Sequence, residues 1–186
     1  MRKILYSVIV KKMMIFILSF FYKKKYLQGY YFDTKRIGFY WCFRSLGNHL
    51  WGTNRSIAWP VNPNTLVANG KNVFFDINDL HVFQTPGCYW QAHDAKIIIG
   101  EGCHIAPNVG IITTNHDIYD VSRHIAGKDV ILGDGCWIGM NAVVLPGCVL
   151  GNNTVVAAGA VVTHSFVEGN CIVGGVPAKK IKDLNR

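Results

Sequence analysis

Several features that define common protein classes are missing from this chain of 186 residues. The apolar stretch from Met13 to Tyr22 has ten residues, whereas a membrane-spanning helix needs about 20. Lys11 and Lys12 prevent its extension toward the N-terminus. The small-residue cleavage pattern of a secretory signal is also missing. We therefore expect neither a spanning helix nor a signal peptide.

Metal-site and disulfide patterns are missing as well. The six cysteines form no CxxC pair and show no cysteine–histidine spacing typical of zinc sites. Free cysteine behaves as a small buried hydrophobe, and free thiols fit a reducing compartment. We expect free cysteines, no metal requirement and a cytoplasmic protein.

A basic face is missing from most of the chain, although the net charge is +8. Residues 1–36 contain nine lysines and arginines and one acid, Asp33, which leaves ten basic and ten acidic residues in the remainder. Nucleic-acid binding requires a basic surface on the folded domain. We therefore expect no nucleic-acid partner.

What is present is a repeat of six residues from Leu132 to Phe166. Neither a helix, with a period of 3.6, nor a strand, with a period of 2, produces this spacing. A fixed period predicts units that bury their apolar faces by stacking on one another. The repeat therefore predicts a parallel β-helix. Every sixth residue is aliphatic, and a small residue follows four positions later in five of the six repeats: Leu132, Ile138, Val144, Leu150, Val156 and Val162, then Cys136, Ala142, Cys148, Thr154 and Ala160.

The same pattern begins upstream at Ile99, Ile105 and Ile111. Leu132 follows Ile111 by 21 residues, which is three and a half repeats, so the phase slips by three. A loop must leave the coil at about residues 113–130, and it contains His116. Loops held on a rigid scaffold are frequent positions for functional sites.

Together with the repeats, the run Gly174-Gly175-Val176-Pro177-Ala178-Lys179 makes the chain resemble the hexapeptide-repeat acyltransferases. This resemblance implies a left-handed parallel β-helix, a homotrimer and acetyl-CoA as co-substrate. Further runs are similar to the branch of sugar and polysaccharide O-acetyltransferases: Trp59-Pro60-Val61, Ala106-Pro107-Asn108-Val109, Asn115-His116-Asp117 and Cys136-Trp137-Ile138-Gly139-Met140.

Acetyl transfer to a hydroxyl needs a base, because an alcohol is a weak nucleophile until its proton is removed, and histidine suits this task. Of the seven histidines, His116 stands at the phase slip and matches the catalytic histidine of the family. Asp117 is expected either to orient the His116 ring, as carboxylates do in triads, or only to form the turn. Asn115 likewise either binds the acceptor or forms the turn. No residue resembles a covalent nucleophile with an attendant base, so we expect direct attack by the acceptor.

The resemblance also implies binding residues. Small residues would let the pantetheine arm approach the backbone, and lysines would attract the coenzyme's phosphates. Relatives usually have lysine where His164 stands. The expected coenzyme-binding residues are Met140, Gly139, Ala158, Gly159, Thr163, His164, Lys179 and Lys182; the expected acceptor-binding residues are Trp90, Gln91, Asp94 and His124.

The chain divides into four predicted parts: a basic apolar helical segment (1–36), an aromatic cap (37–72), the β-helix acyltransferase domain (73–178) and a short basic tail (179–186). Residues 1–25 allow two interpretations. They form either a helix packed on the trimer or an interfacial anchor at the inner face of the membrane, where anionic lipids attract lysines.

These observations predict an acetyl-CoA-dependent O-acetyltransferase acting on a sugar hydroxyl of a surface polysaccharide (capsular, exo- or lipopolysaccharide) or its precursor. The alternative within enzymes is a small acceptor, such as a free sugar, an antibiotic or serine. A zinc carbonic anhydrase on this scaffold would need a histidine five residues after His116, where Val121 stands. A non-catalytic scaffold or binding module is the alternative of another class.

Overall fold

In the computed structural model, which describes residues 8–55 and 57–185, the repeat forms a parallel β-helix with three faces. Sheet 1 has the order β1-β3-β6-β9-β12, sheet 2 the order β10-β7-β4-β2, and sheet 3 the order β14-β13-β11-β8-β5. The strands are β1 (Leu66–Val67), β2 (Val73–Phe74), β3 (Tyr89–Gln91), β4 (Ile97–Ile99), β5 (His104–Ile105), β6 (Gly110–Ile112), β7 (Val130–Leu132), β8 (Trp137–Ile138), β9 (Val143–Val144), β10 (Val149–Leu150), β11 (Val155–Val156), β12 (Val161–Val162), β13 (Cys171–Gly174) and β14 (Lys179–Asp183).

The strand register follows from the repeat. Val149 pairs with Ile131, and Val161 pairs with Val143, each 18 residues earlier in the chain. Three repeats therefore complete one turn, and successive strands lie on successive sheets. The aliphatic positions point inward and are buried, and all six cysteines are free and buried. The prediction of a β-helix filled by aliphatic and small residues is confirmed.

An N-terminal cap precedes the coil, made of α1 (Val8–Leu18), α2 (Tyr30–Asp33) and α3 (Ile37–Trp51) with a short 3-10 turn at Lys24–Tyr26. Its aromatic rings continue into the first turn of the coil: the ring centroid of Trp59 lies 5.2 Å from that of Phe83, which lies 4.9 Å from Trp90. Residues 1–7 of the predicted N-terminal segment lie outside the described residues. None of the described helices is long and apolar enough to cross a membrane.

The end of the chain differs from the expected tail. Residues Lys179–Asp183 form β14, which pairs antiparallel with β13, and Gly174 lies opposite Lys179. Lys180 also donates to the Asp183 carboxylate across 2.6 Å. The lysines are therefore carried on a strand at the edge of sheet 3, and their backbone is fixed by the sheet.

Candidate active site

The loop that carries His116 is an insertion between β6 and β7. Ile111 pairs with Val144, 33 residues later, which is 15 more than one turn of the coil requires. The inserted chain folds back on itself: the Asp117 amide donates to the Arg123 carbonyl across 2.9 Å, and the Ile125 amide donates to the Asn115 carbonyl across 3.0 Å. The phase slip in the sequence thus corresponds to a hairpin-like loop at the edge where sheets 1 and 2 meet.

Gln91 fixes the base of this loop. Its side-chain oxygen accepts hydrogen bonds from the amides of Thr113 (2.9 Å) and Thr114 (3.0 Å), and its side-chain nitrogen donates to the Thr114 carbonyl (2.9 Å). Trp90 beside it is 1% exposed. Both residues were expected to contact the acceptor. Both instead lie inside the molecule, where Trp90 packs on Phe83 and Gln91 positions the loop.

His116 is exposed near the tip of the loop, and its ring is oriented by the backbone. Its Nδ1 lies 2.7 Å from the carbonyl oxygen of Val121. A carbonyl can only accept a hydrogen bond, so Nδ1 carries the proton, and the neutral ring keeps its lone pair on Nε2. In this tautomer Nε2 is the ring atom that can accept a proton.

Asp117 and Asn115 shape the loop around this ring. The Asp117 carboxylate accepts from the Tyr119 amide across 2.8 Å, which caps the turn, whereas the partner of the His116 ring is the Val121 carbonyl. The structure thus shows the turn contact, one of the two roles expected for Asp117, and its catalytic role stays a prediction. The Asn115 side chain is exposed beside His116, and its backbone carbonyl closes the loop onto Ile125.

His124 completes the site on the opposite strand of the loop. The His116 and His124 rings lie 4.3 Å apart, and His124 lines a cleft of about 230 Å³ with His93 and Asp94. The structure therefore brings three predicted residues together: His116, His124 and Asp94. His93 was missed by the sequence analysis, although it directly precedes Asp94, which was the signal available for it.

Most of the expected coenzyme-binding residues lie at the two corners of the coil that border sheet 1, whereas Lys182 lies within sheet 3. Met140 and Ala158 occupy equivalent corners on successive turns, where sheets 3 and 1 meet, and the Gly159 amide donates to the Met140 carbonyl across 2.8 Å. Met140, Ala158 and Gly159 are all exposed there, and Lys179 begins β14 beside the same edge.

Thr163 and His164 are exposed at the corner where sheets 1 and 2 meet, and the His116 loop leaves the coil at the same corner. The Thr163 hydroxyl lies 3.3 Å from Nδ1 of His164, whose ring packs on Phe166 at 4.6 Å. Lys182 lies opposite Ile172 in β13 and is exposed.

The two expected coenzyme-binding glycines differ in their surroundings. A Cβ on Gly139 would lie 2.6 Å from the Ala158 amide nitrogen and 2.7 Å from the Val156 carbonyl oxygen. Gly139 is therefore required for close stacking of two turns, and it faces the backbone of the next turn instead of an approaching ligand. Gly159 has a φ of +71° and nothing within 4 Å of a Cβ, so its surface is open.

No cluster of three or more histidine, cysteine, aspartate or glutamate residues within 8–55 and 57–185 is arranged to hold a metal ion. The His116–His124 pair has its polar neighbours in the backbone of the loop and in Asp94 of the cleft. The chemistry that these residues can supply by themselves is proton transfer and hydrogen bonding.

Comparison with known proteins places this arrangement in a family. The model of the bacterial transferase hexapeptide family (six repeats) matches residues 129–164. A maltose O-acetyltransferase from Clostridium difficile 630 has a similar structure, with a TM-score of 0.56 and 32% identity over 68% of this chain and 66% of that one. The chain belongs to the hexapeptide-repeat acyltransferase family. Its coil is the left-handed parallel β-helix of that family.

Two further family members extend the comparison. A hexapeptide-repeat acetyltransferase from Vibrio cholerae, solved with acetyl-coenzyme A, has a TM-score of 0.59 and 28% identity over 68% of each chain. A curated protein of Dictyostelium discoideum that is named as an acetyltransferase is 48% identical over 91 residues, which is 47% of each chain. The chain spans about half the length of the curated relatives that it matches at 43–48% identity.

Proposed function

We propose that the protein is an acetyl-CoA-dependent O-acetyltransferase in which His116 is the general base. The observation that carries this proposal is the hydrogen bond from His116 Nδ1 to the Val121 carbonyl, because it leaves Nε2 unprotonated and accessible in the neutral ring. The relatives whose names include maltose O-acetyltransferase and an acetyltransferase bound to acetyl-coenzyme A support the reaction class.

In the proposed reaction, Nε2 of His116 removes the proton of an acceptor hydroxyl as its oxygen attacks the thioester carbonyl of acetyl-CoA. The tetrahedral intermediate then collapses, the C–S bond breaks, and the imidazolium returns the proton to the departing thiolate. Backbone amides near the cleft would stabilise the negative oxygen of the intermediate. His124 stacks beside the ring, and Asn115 and Asp117 keep the loop in the geometry that the base requires.

The donor site is proposed to lie between copies of the chain. The corner where sheets 3 and 1 meet carries Met140, Ala158, Gly159 and Lys179. The corner where sheets 1 and 2 meet carries Thr163 and the His116 loop. If a neighbouring copy placed its first corner against the second corner of this chain, the two sets of residues would lie together. This division supports the proposed homotrimer and predicts that isolated monomers are inactive.

The acceptor is proposed to be a sugar hydroxyl of a surface polysaccharide or of its precursor, bound in the cleft of His93, Asp94 and His124. These polar side chains can donate and accept hydrogen bonds with the hydroxyls of a sugar. A free sugar is the second candidate, which the maltose O-acetyltransferase among the similar structures favours. The use of acetyl-CoA, together with six free cysteines, supports a cytoplasmic location.

The donor part of the proposal is tested by calorimetric titration with acetyl-CoA and with coenzyme A lacking its 3′-phosphate. We expect micromolar binding of acetyl-CoA and weaker binding of the dephosphorylated coenzyme, and the same weakening in Lys179→Gln and Lys182→Gln. Val167→Ser, at an exposed position outside the proposed site, serves as the matched control. An absence of heat with both ligands would contradict the donor assignment.

The acceptor part is tested by mass spectrometry of a glycan and small-sugar panel incubated with the protein and acetyl-CoA. A mass increase of one acetyl group on an oligosaccharide, and not on maltose or other free sugars, supports the polysaccharide proposal. Acetylation of free sugars alone would assign the protein to the second candidate. Binding of acetyl-CoA without transfer to any acceptor would favour the non-catalytic alternative.

A further inference from the structure

Helix α1 is apolar on two sides, and residues 8–55 and 57–185 cover only one of them. Leu18 is 1% exposed, and Met14 and Ile15 pack beside it on the hydrophobic core. A surface helix of a water-soluble domain normally has a single apolar stripe. The second side of α1 and the turn after it instead expose six large apolar side chains by 46–79%: Val8, Ile9, Met13, Phe16, Ile17 and Phe20.

Basic side chains lie directly beside this exposed side. A cavity of about 520 Å³ is lined by Lys23, Lys25 and Lys71 around an aromatic floor that includes Tyr26 and Phe74. Among the described residues that line it none is acidic, and the described part of the chain supplies none of the three lysines with an ion-pair partner. Lys25 instead lies 4.7 Å from the centre of the Tyr26 ring.

The apolar side and the lysine cavity form one continuous surface. A second cavity of about 320 Å³ is lined by Phe20, Arg55 and Lys23. Lys23 also lines the first cavity, so the surface runs from Phe20 at the end of α1 to Lys71 beside the coil. We call the six exposed apolar residues with Lys23, Lys25, Arg55 and Lys71 the α1 surface.

We propose that the α1 surface docks on an anionic lipid bilayer, with α1 lying in the plane of the membrane and lipid phosphates entering the lysine cavity. The described part of helix α1 has 11 residues, a length of about 16 Å, which suits a position in the interface and is less than a spanning helix needs. Apolar side chains enter the boundary of the acyl chains while lysines remain at the level of the headgroups. This proposal is independent of the acetyl-transfer proposal.

Charge complementarity is the reason to choose lipid over a second copy of the chain. The α1 surface presents four cations in the two cavities, and none of the described residues that line either cavity is acidic. A second copy that docked on this surface through the same face would bring the same four cations against these. An anionic bilayer supplies a phosphate for each of them.

The test is cosedimentation of the full chain with vesicles of phosphatidylcholine, alone or with about one third phosphatidylglycerol. We expect partitioning onto the anionic vesicles, at least tenfold weaker partitioning onto the neutral ones, and release as the salt is raised from about 0.15 M to about 1 M. Equal partitioning onto both vesicles, or no partitioning, would overturn the proposal.

Variants separate the two components of the surface. Phe16→Ser with Phe20→Ser should reduce partitioning at least tenfold, and each of Lys23→Gln, Lys25→Gln and Lys71→Gln should reduce it about fivefold. Val167→Ser and Lys128→Gln, exposed positions away from the α1 surface, are the matched controls and should leave partitioning unchanged. Sedimentation in the absence of lipid gives the molecular mass of each variant. If the phenylalanine variants change this mass and not the lipid partitioning, the surface is a contact between copies, and the proposal is wrong.

Discussion

The coil and the N-terminal cap use apolar residues in opposite ways. In the coil, the aliphatic positions of the repeat are buried, and residues 73–186 carry ten acidic and seven basic side chains. In the cap, Phe16 and Phe20 remain exposed beside a cluster of lysines. The coil thus supplies a rigid framework that holds the His116 loop, whereas α1 presents an apolar surface that the described part of the chain leaves uncovered. A substitution of the same kind should therefore have different consequences in the two regions.

The largest expected effect comes from placing a charge inside the coil. Val144→Asp buries a carboxylate at a position that is 0% exposed, and we expect it to lower the free energy of unfolding by more than about 4 kcal/mol or to prevent folding. Phe16→Asp on the exposed side of α1 should change that free energy by less than about 1 kcal/mol. Thermal unfolding followed by circular dichroism measures both. Similar losses in the two variants would show that α1 is covered by protein in solution.

Two glycines of the coil differ in how closely the neighbouring backbone approaches them. Gly139→Ala forces a Cβ to within 2.6 Å of the Ala158 amide nitrogen, and we expect a loss of about 3 kcal/mol because two turns of backbone must separate. Gly159→Ala meets open space and carries only the cost of a positive φ, about 1 kcal/mol. Denaturant unfolding of the two variants gives the difference. A larger loss for Gly159→Ala would contradict the stacking role assigned to Gly139.

The loop base provides a test of how the coil controls the site. Gln91→Leu leaves the Thr114 amide without its acceptor, whereas the Thr113 amide keeps the main-chain carbonyl of residue 91 at 3.1 Å. We expect a stability loss of about 2 kcal/mol together with a lower kcat and an unchanged affinity for acetyl-CoA. Gln91→Glu keeps the acceptor oxygen for both amides and should restore part of kcat. A loss of coenzyme affinity in Gln91→Leu, with kcat unchanged, would place Gln91 in the donor site and not at the loop base.

The smallest effect is expected at the junction of cap and coil. Burial lowers the pKa of His81 below its ordinary 6.5. The negative charge of Asp79 opposes this shift, and His104 lowers the pKa further. Tyr31 of the cap packs on the His81 ring. The unfolded chain therefore binds a proton more readily than the folded one, so stability is retained above pH 6.5 and declines as the pH falls below it. His81→Asn should reduce this decline in thermal melts between about pH 7 and pH 5. An unchanged pH dependence would show that His81 does not contribute to it.

The sequence predicted the coil in detail because a period of six leaves little freedom. The position of the loop followed from the same period: the 15 inserted residues are two and a half repeats, which is the source of the phase slip between Ile111 and Leu132. The identity of His116 as the candidate base came from its place at that slip and from the resemblance of its motif.

The remaining features could not be predicted because they depend on irregular backbone. Residues 74–96 have no clean period, so the burial of Trp90 and Gln91 was not visible in the sequence. The partner of the His116 ring is a carbonyl of the loop, which any residue at position 121 would supply. The sequence of the edge strand β14 resembles that of a charged tail, because its side chains are exposed on both faces and show no alternation of apolar and polar residues.

The most direct test of the central claim is the acetyl-transfer rate of His116→Ala with saturating acetyl-CoA and an acceptor that the wild-type protein acetylates. We expect a fall in kcat of about 10²- to 10⁴-fold with the dissociation constant of acetyl-CoA unchanged. The matched variant His104→Ala, at an exposed histidine of the coil, should show no comparable fall. Wild-type activity in His116→Ala would contradict the role of His116 as general base.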